Sequence, residues 1–221
     1  MRKLRAVIDI QRRSPADEGF TIVELMAAMA IFAVFLAVVL SSILAITKAS
    51  TKVQVTARSA SAELSAFQRM DREIRYSDSV NYPGVGAPSG DMYIEFRTPA
   101  SSTSSNVTLC TQWRYDLSSR SLQLRFWNDG ASPTSNWQTV VTNVANDGGA
   151  TYPFNMLPAT NSGSTMQQLV LTIDSGNTVV KGAAIQSTFV ARNTTIASPS
   201  NTDDLVDGKS DNPICPGATR P

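Results

Sequence analysis

GFTIVELMAAMAIFAVFLAVVLSSILAIT, residues 19–47, carries one charged side chain, Glu24, and no charge at all from Leu25 to Thr47. About 20 apolar residues are enough to cross the hydrocarbon core of a bilayer as a helix. This run is apolar on every side, unlike a helix that buries a single stripe, and neither Pro nor Gly interrupts it after Gly19. It predicts a membrane-spanning helix. Five basic residues precede it (Arg2, Lys3, Arg5, Arg12, Arg13), against three acids, Asp9, Asp17 and Glu18. That excess favours a cytoplasmic N-terminus and an exported remainder after Lys48. Lys48, Lys52 and Arg58 weaken the bias without reversing it. A secretory signal would have an apolar region of about 7–15 residues and a small-residue cleavage site after it. Ala45-Ile46-Thr47 is a poor version of that site.

A plain anchor explains the span but not Glu24. An acid set well into a membrane helix costs about 2–3 kcal/mol even on the mild insertion scale, so it usually has a partner. A cut after Gly19 would create a new amine at Phe20, about 6 Å from Glu24 along the axis at 1.5 Å per residue. That amine, on this or a neighbouring chain, is the natural counter-charge. The alternative is a hydrated interfacial acid, favoured by the positive end of the helix dipole.

Gly19-Phe20-Thr21-Ile22-Val23-Glu24-Leu25, at the head of an apolar span, resembles the class III signal of type IV pilins and type II secretion pseudopilins. The resemblance is close from Gly19 to Thr47. It implies cleavage between Gly19 and Phe20 by a prepilin peptidase, N-methylation of Phe20, and pairing of Glu24 with the terminus of an adjacent subunit during assembly. The implied partners are other pilins or pseudopilins, the peptidase and an inner-membrane assembly platform. The implied location is the cell membrane, single-pass, then a surface filament or pseudopilus. Asp17 and Glu18 stand before the Gly, where many members carry Lys or Arg. The leader is also long.

After Lys48 the helix is expected to continue as an amphipathic one. Ala57, Ala60, Leu64, Phe67 and Ile74 recur at spacings of three and four, the period of one buried face. Asp71 falls on that stripe, and Met70 flanks it. Glu63, Gln68, Arg69, Arg72, Glu73 and Arg75 read as a solvated face. Asn81-Tyr82-Pro83-Gly84 is turn chemistry, so the helix should stop near Ser79. Beyond Gly90 the pattern changes to period two, and residues 92–96, 107–117, 122–127, 137–144, 169–174 and 188–192 read as strands. Ser118-Ser119-Arg120 suggests a hairpin. The expected fold is α+β: a long N-terminal helix, half transmembrane and half amphipathic, packed on an antiparallel sheet. The expected segments are a leader (1–19), an assembly helix (20–47), an amphipathic helix (48–80), a β-rich head (81–196) and an irregular tail (197–221).

Phe67-Gln68-Arg69-Met70-Asp71-Arg72-Glu73-Ile74-Arg75 is similar to a helix segment of J-type minor pseudopilins and W-type minor pilins. Trp113-Arg114-Tyr115-Asp116 followed by Leu122, and Phe189-Val190-Ala191-Arg192-Asn193, are similar to their strand motifs. Major pilins often bend their helix with a Pro where Ser41-Ser42 stand here. The resemblance therefore favours a minor subunit.

Composition removes several classes. There is no His among the 221 residues, which takes away the commonest general base and metal ligand. The formal net charge is +1, and no basic cluster marks the head, which argues against nucleic acid as a partner. No catalytic residue, cofactor or metal site is expected, and the chain is not read as an enzyme. Asp203, Asp204, Asp207 and Asp211 beside Gly208 suggest calcium, but Leu205 occupies the third position of an EF-hand loop, so that motif fails. A solvated acidic tail is the expectation there. Trp113, Trp127 and Trp137 are expected in the core or on the sheet surface.

Two cysteines, Cys110 and Cys215, both lie on the exported side of the span. Oxidising conditions there let disulfides persist, and two cysteines allow one pairing. A bond is expected to tie the tail to the sheet; the alternative is a buried Cys110 and an unrelated free Cys215. The resulting function is a minor subunit that initiates, primes or caps a membrane-assembled filament. The alternative is a tip module whose head binds a surface, DNA or an export substrate.

Overall fold

The computed structural model describes residues 21–133, 136–145, 152–176, 181–205 and 207–221. Gly19, Phe20 and the leader lie outside the described residues. One α-helix, α1, runs from Ile22 to Arg75. Its sequence has no Pro or Gly in 54 residues, so nothing removes a backbone donor or frees the chain. The chain divides into two compact units with the boundary between Ser50 and Thr51.

The first unit contains the apolar part of α1, whose large side chains from Ile22 to Ile46 are exposed apart from the half-buried Val39. By length and composition α1 is the one helix among the described residues apolar enough to cross a membrane. Its few hydroxyls fold back on their own helix. Ser41 and Ser42 Oγ both donate to the Val38 carbonyl at 2.8 Å, and Thr47 Oγ1 donates to Ile43. Each polar side chain between Leu25 and Thr47 thus has an acceptor on its own helix, as a hydrocarbon environment would require.

The second unit is an α+β head. Among the described residues ten strands follow α1: β1 (Ser79–Val80), β2 (Gly84–Val85), β3 (Met92–Thr98), β4 (Leu109–Asp116), β5 (Ser121–Asn128), β6 (Gln138–Val141), β7 (Val144–Ala145), β8 (Phe154–Leu157), β9 (Gln168–Gly176) and β10 (Lys181–Val190). They form two antiparallel sheets rather than one. The first has the order β1-β3-β4-β5-β6, with β2 also on β3; the second has β10-β9-β7, with β8 also on β9. The hairpin at residues 118–120 joins β4 to β5, and its tip uses a left-handed Arg120 at φ 50°.

The helix packs on these sheets through Ala66, Phe67, Met70 and Ile74. Trp113, Ile94 and Leu124 of the first sheet and Leu169, Leu171 and Ile173 of the second complete the same core. The buried stripe therefore differs from the sequence expectation. Leu64 is 55% exposed, whereas Met70 is fully buried and the neighbouring Asp71 instead pairs with Arg75. The spacing of three and four puts Leu64 on the stripe, but the sheets meet the adjacent face, one residue round the helix.

Two members of the expected solvated face turn to the head instead, one fully buried and one half-buried. Glu63 is fully buried. Glu73 accepts from Trp113 Nε1 at 3.1 Å and from Arg69 Nε at 2.8 Å, which anchors the helix to β4. The helix also ends at Arg75 rather than near Ser79. Ser77 turns back on the Ile74 carbonyl through both its N–H and its Oγ, and β1 begins at Ser79. The terminal carbonyls are then met from the far end of the head. Arg192 N–H donates to Arg75 at 3.2 Å, and Asn193 Nδ2 donates to Tyr76 at 3.0 Å. A helix end needs such outside donors, and here they come from the Arg192-Asn193 pair that closes β10.

Candidate functional site

At the start of α1 the structure shows a cap that residue spacing alone could have revealed. Thr21 Oγ1 accepts from the Glu24 N–H at 3.2 Å, and the Thr21 carbonyl accepts from Leu25 at 3.1 Å. Thr21 is thus the N-cap and Glu24 the third helical residue, the order Thr-x-x-Glu of a capping box. Glu24 is exposed and stands in the first turn, where the helix dipole favours an acid. The cap fixes the helix start immediately after the Gly19-Phe20 junction.

The second site is the outer face of the first sheet, on which the segment 210–221 is seated. Cys110 on β4 and Cys215 are joined as a disulfide, closing a separation of 105 residues. Trp127 and Ile214 pack around the bridge as a small second core. Asn81 holds Ile214 from both sides: its Oδ1 accepts from the Ile214 N–H at 3.0 Å, and its Nδ2 donates to the Ile214 carbonyl at 3.1 Å. Glu95, 1% exposed, is the centre of the arrangement. It accepts from Gln112 Nε2 at 2.7 Å, from Asn81 Nδ2 at 3.1 Å and from Arg220 Nε at 3.0 Å. Arg125 extends the row, donating to Gln112 Oε1 at 2.8 Å and to the Thr219 carbonyl at 3.1 Å.

Glycine permits the close approach. A Cβ at Gly86 would stand 2.3 Å from the Pro221 carbonyl oxygen and 2.6 Å from the Tyr93 ring. The segment contains no helix or strand, but it is fastened along its length. Trp137 lies on the same face, outside β6, with Arg114 4.3 Å over its ring and Arg125 4.4 Å over it. Burial and the nearby Arg114 charge push the Arg125 pKa down, against the pull of Tyr93 and Glu95.

The acidic stretch is a shaped loop. Asp203 accepts backbone N–H groups from Asp207 at 3.0 Å and Gly208 at 2.9 Å, and Asp211 accepts from Asp204 N–H at 2.9 Å. Cys110, Asp129 and Cys215 bring three ligand-type atoms within 4.8 Å. Both sulfurs are consumed by the disulfide.

The family model of the prokaryotic N-terminal methylation motif matches residues 15–46. No curated protein matches the chain, and no solved structure does. With this motif at the head of a long apolar helix, the chain fits a type IV pilin-like protein. The motif suggests a structural subunit, anchored in a membrane, that interacts with other pilin subunits and with a prepilin peptidase.

Proposed function

We propose that the chain is a minor subunit of a type IV pilus or a type II secretion pseudopilus, and that it initiates, primes or caps a filament through its N-terminal helix. The observation that carries this is the conjunction of the methylation motif at residues 15–46 with an apolar helix whose N-cap is Thr21. In this reading the peptidase cuts between Gly19 and Phe20 and Phe20 is methylated. The N-terminus is cytoplasmic and the head is exported, in keeping with the five basic residues before the span. Glu24 is exposed and its carboxylate has no ion-pair partner among the described residues, which supports a role in meeting a neighbour's Phe20 amine, because an acid drawn into a helix bundle in lipid needs a counter-charge. The minor assignment rests on the segments 67–75, 113–116 and 189–193. Their contacts in the head support it: Glu73 with Trp113, and Arg75 with Arg192.

Removing the prepilin peptidase from the producing cell tests this reading. The expected result is a full-length protein that stays in the membrane fraction and is missing from sheared filaments. Unchanged recovery in filaments without the peptidase would contradict it.

A further inference from the structure

Among the described residues β10 is the one long free edge of the two sheets. It ends the second sheet and pairs with β9 alone. The direction of its backbone groups follows from the ladder. Ala191 N–H donates back to the Gln167 carbonyl at 3.0 Å, and on β9 Thr172 N–H donates the other way, to Pro153 at 2.9 Å. In an antiparallel ladder the N–H and C=O of one residue point to the same side, and successive residues alternate. Ile185, Ser187 and Phe189 therefore turn their backbone groups to Ile173, Leu171 and Leu169. Ala184, Gln186, Thr188 and Val190 point theirs away from β9, and among the described residues no group meets them. The next outward donor, Arg192 N–H, is taken by the Arg75 carbonyl at the end of α1. The free edge is thus the stretch 184–190.

Sheets protect such edges with short strands, bulges, proline or charge. The other edge strands are short. β6 has four residues and a register shift in its pairing with β5, and β1, β2 and β7 have two residues each. β10 shifts register only before Ala184. Neither Pro nor a charged residue occurs from Gly182 to Ala191. The side chains of the four outward residues are exposed and neutral, and Thr188 and Val190 are β-branched. An unpaired backbone row of this kind is a template for one more strand.

We infer that a strand of a different filament subunit adds antiparallel to β10 along residues 184–190. Charge selects this occupant. Arg192, exposed and without a carboxylate partner among the described residues, stands just past the end of the edge. The added strand is uncharged over its paired length and carries an acid at its N-terminal end, which an antiparallel arrangement sets against Arg192. A second copy does not fit, because the long edge it would offer holds no acid anywhere from residue 181 to residue 192. An unlike neighbour on this edge also leaves a single copy in place, in keeping with a minor subunit. The inference deepens the assembly reading and rests on it.

The test uses the full chain in the producing cell. Gln186 is replaced by the photoreactive p-benzoyl-phenylalanine, the cells are irradiated, filaments are sheared, and the cross-linked peptide is identified by mass spectrometry. The expected product joins this chain to a second kind of subunit that also carries the N-terminal methylation motif, at a neutral strand preceded by Asp or Glu. Thr188→Pro deletes an outward N–H and should lose the cross-link while the urea midpoint of the purified chain stays that of the parent. Ser187→Pro deletes an N–H turned to β9 and should lower that midpoint. Arg192→Glu should lose the cross-link as well. A cross-link to a second copy, to a protein without the motif, or one that survives Thr188→Pro overturns the inference. So does a Thr188→Pro chain as destabilised as Ser187→Pro. No cross-link, where the parent chain is recovered in filaments, overturns the inference alone. A parent chain missing from filaments overturns it together with the assembly reading.

Discussion

Arg220 donates through Nε to Oε1 of Glu95 at 3.0 Å, across 125 residues of sequence. The carboxylate is almost fully buried and the guanidinium partly so. Glu95 sits on β3, opposite Gln112 of β4, which is opposite Arg125 of β5. A cross-strand row of polar side chains thus receives an irregular segment that has few apolar groups of its own. The ion pair fixes the end of that segment; the disulfide fixes its middle.

Removing Arg220 would leave the buried Glu95 with Asn81 and Gln112 but without its counter-charge. Breaking a buried pair from one side costs about 3–5 kcal/mol, and Arg220→Ala is expected at the low end because the two neutral donors remain. Lys209→Ala, which breaks the exposed pair with Asp207, should change stability by less than about 1 kcal/mol. All three tryptophans are in the head, so urea unfolding of the detergent-solubilised chain followed by Trp fluorescence measures both. Equal small effects would show that Glu95 is not held by Arg220.

Cys110 and Cys215 should be unlabelled when the denatured, unreduced protein is alkylated. Both should label after reduction. On the chain-entropy model a closed loop of this length, 105 residues, stabilises by about 4–5 kcal/mol as an upper figure. Reduction should therefore lower the unfolding midpoint strongly. The segment should nevertheless stay docked below that midpoint, because Arg220, Thr219 and Ile214 hold it independently. Cleavage of reduced but folded protein at Lys209 by trypsin, as fast as in the unfolded chain, would contradict this.

Much of this fold was legible because it is written in local pattern. The span is a run of side chains of one kind, and the β4–β5 hairpin is alternation broken by Ser118-Ser119-Arg120. Less legible were features that depend on partners far along the chain. Glu63 looks like any surface helix acid until β9 is placed over it. Met70 looks like a flanking residue until both sheets close on the helix. The docked segment has no periodicity, and its fastening depends on Glu95, Gln112 and Asn81, polar residues whose meeting no spacing rule announces. Two sheets rather than one could not be read because β1, β2 and β7 are two residues each. At the helix start the signal was present: Thr21 and Glu24 have the capping-box spacing.

Glu63 carries a consequence for pH. Neither of its oxygens makes a hydrogen bond of ordinary geometry. Burial pushes its pKa up, the Ser175 hydroxyl opposes that in part, and Asp174 adds to it. The folded chain therefore keeps this proton to higher pH than the unfolded chain, whose carboxyl titrates near 4.5. Glu63 thus helps the fold at low pH, and that help is lost as pH rises from about that value through the folded one. Glu63→Gln should remove this decline and raise stability at neutral pH. Urea titrations from acidic to neutral pH on both proteins give the comparison, and parallel curves would contradict it.

Glu24→Ala should leave membrane insertion intact, since it removes a charge from the first turn of an apolar helix. It should lower entry into filaments, because it removes the proposed partner of a neighbour's Phe20 amine. Membrane fractionation beside filament pull-down separates the two effects. Full incorporation of the variant would make Glu24 a hydrated interfacial acid with a local role at the helix dipole.

The central claim is that the chain is processed at the junction that precedes the Thr21 cap. Mass spectrometry of the protein isolated from its assembled state reads this directly. The expected N-terminal peptide begins at Phe20 and carries one methyl group on its amine. An intact Met1 terminus in assembled material, or a terminus near Ala45, would contradict the claim.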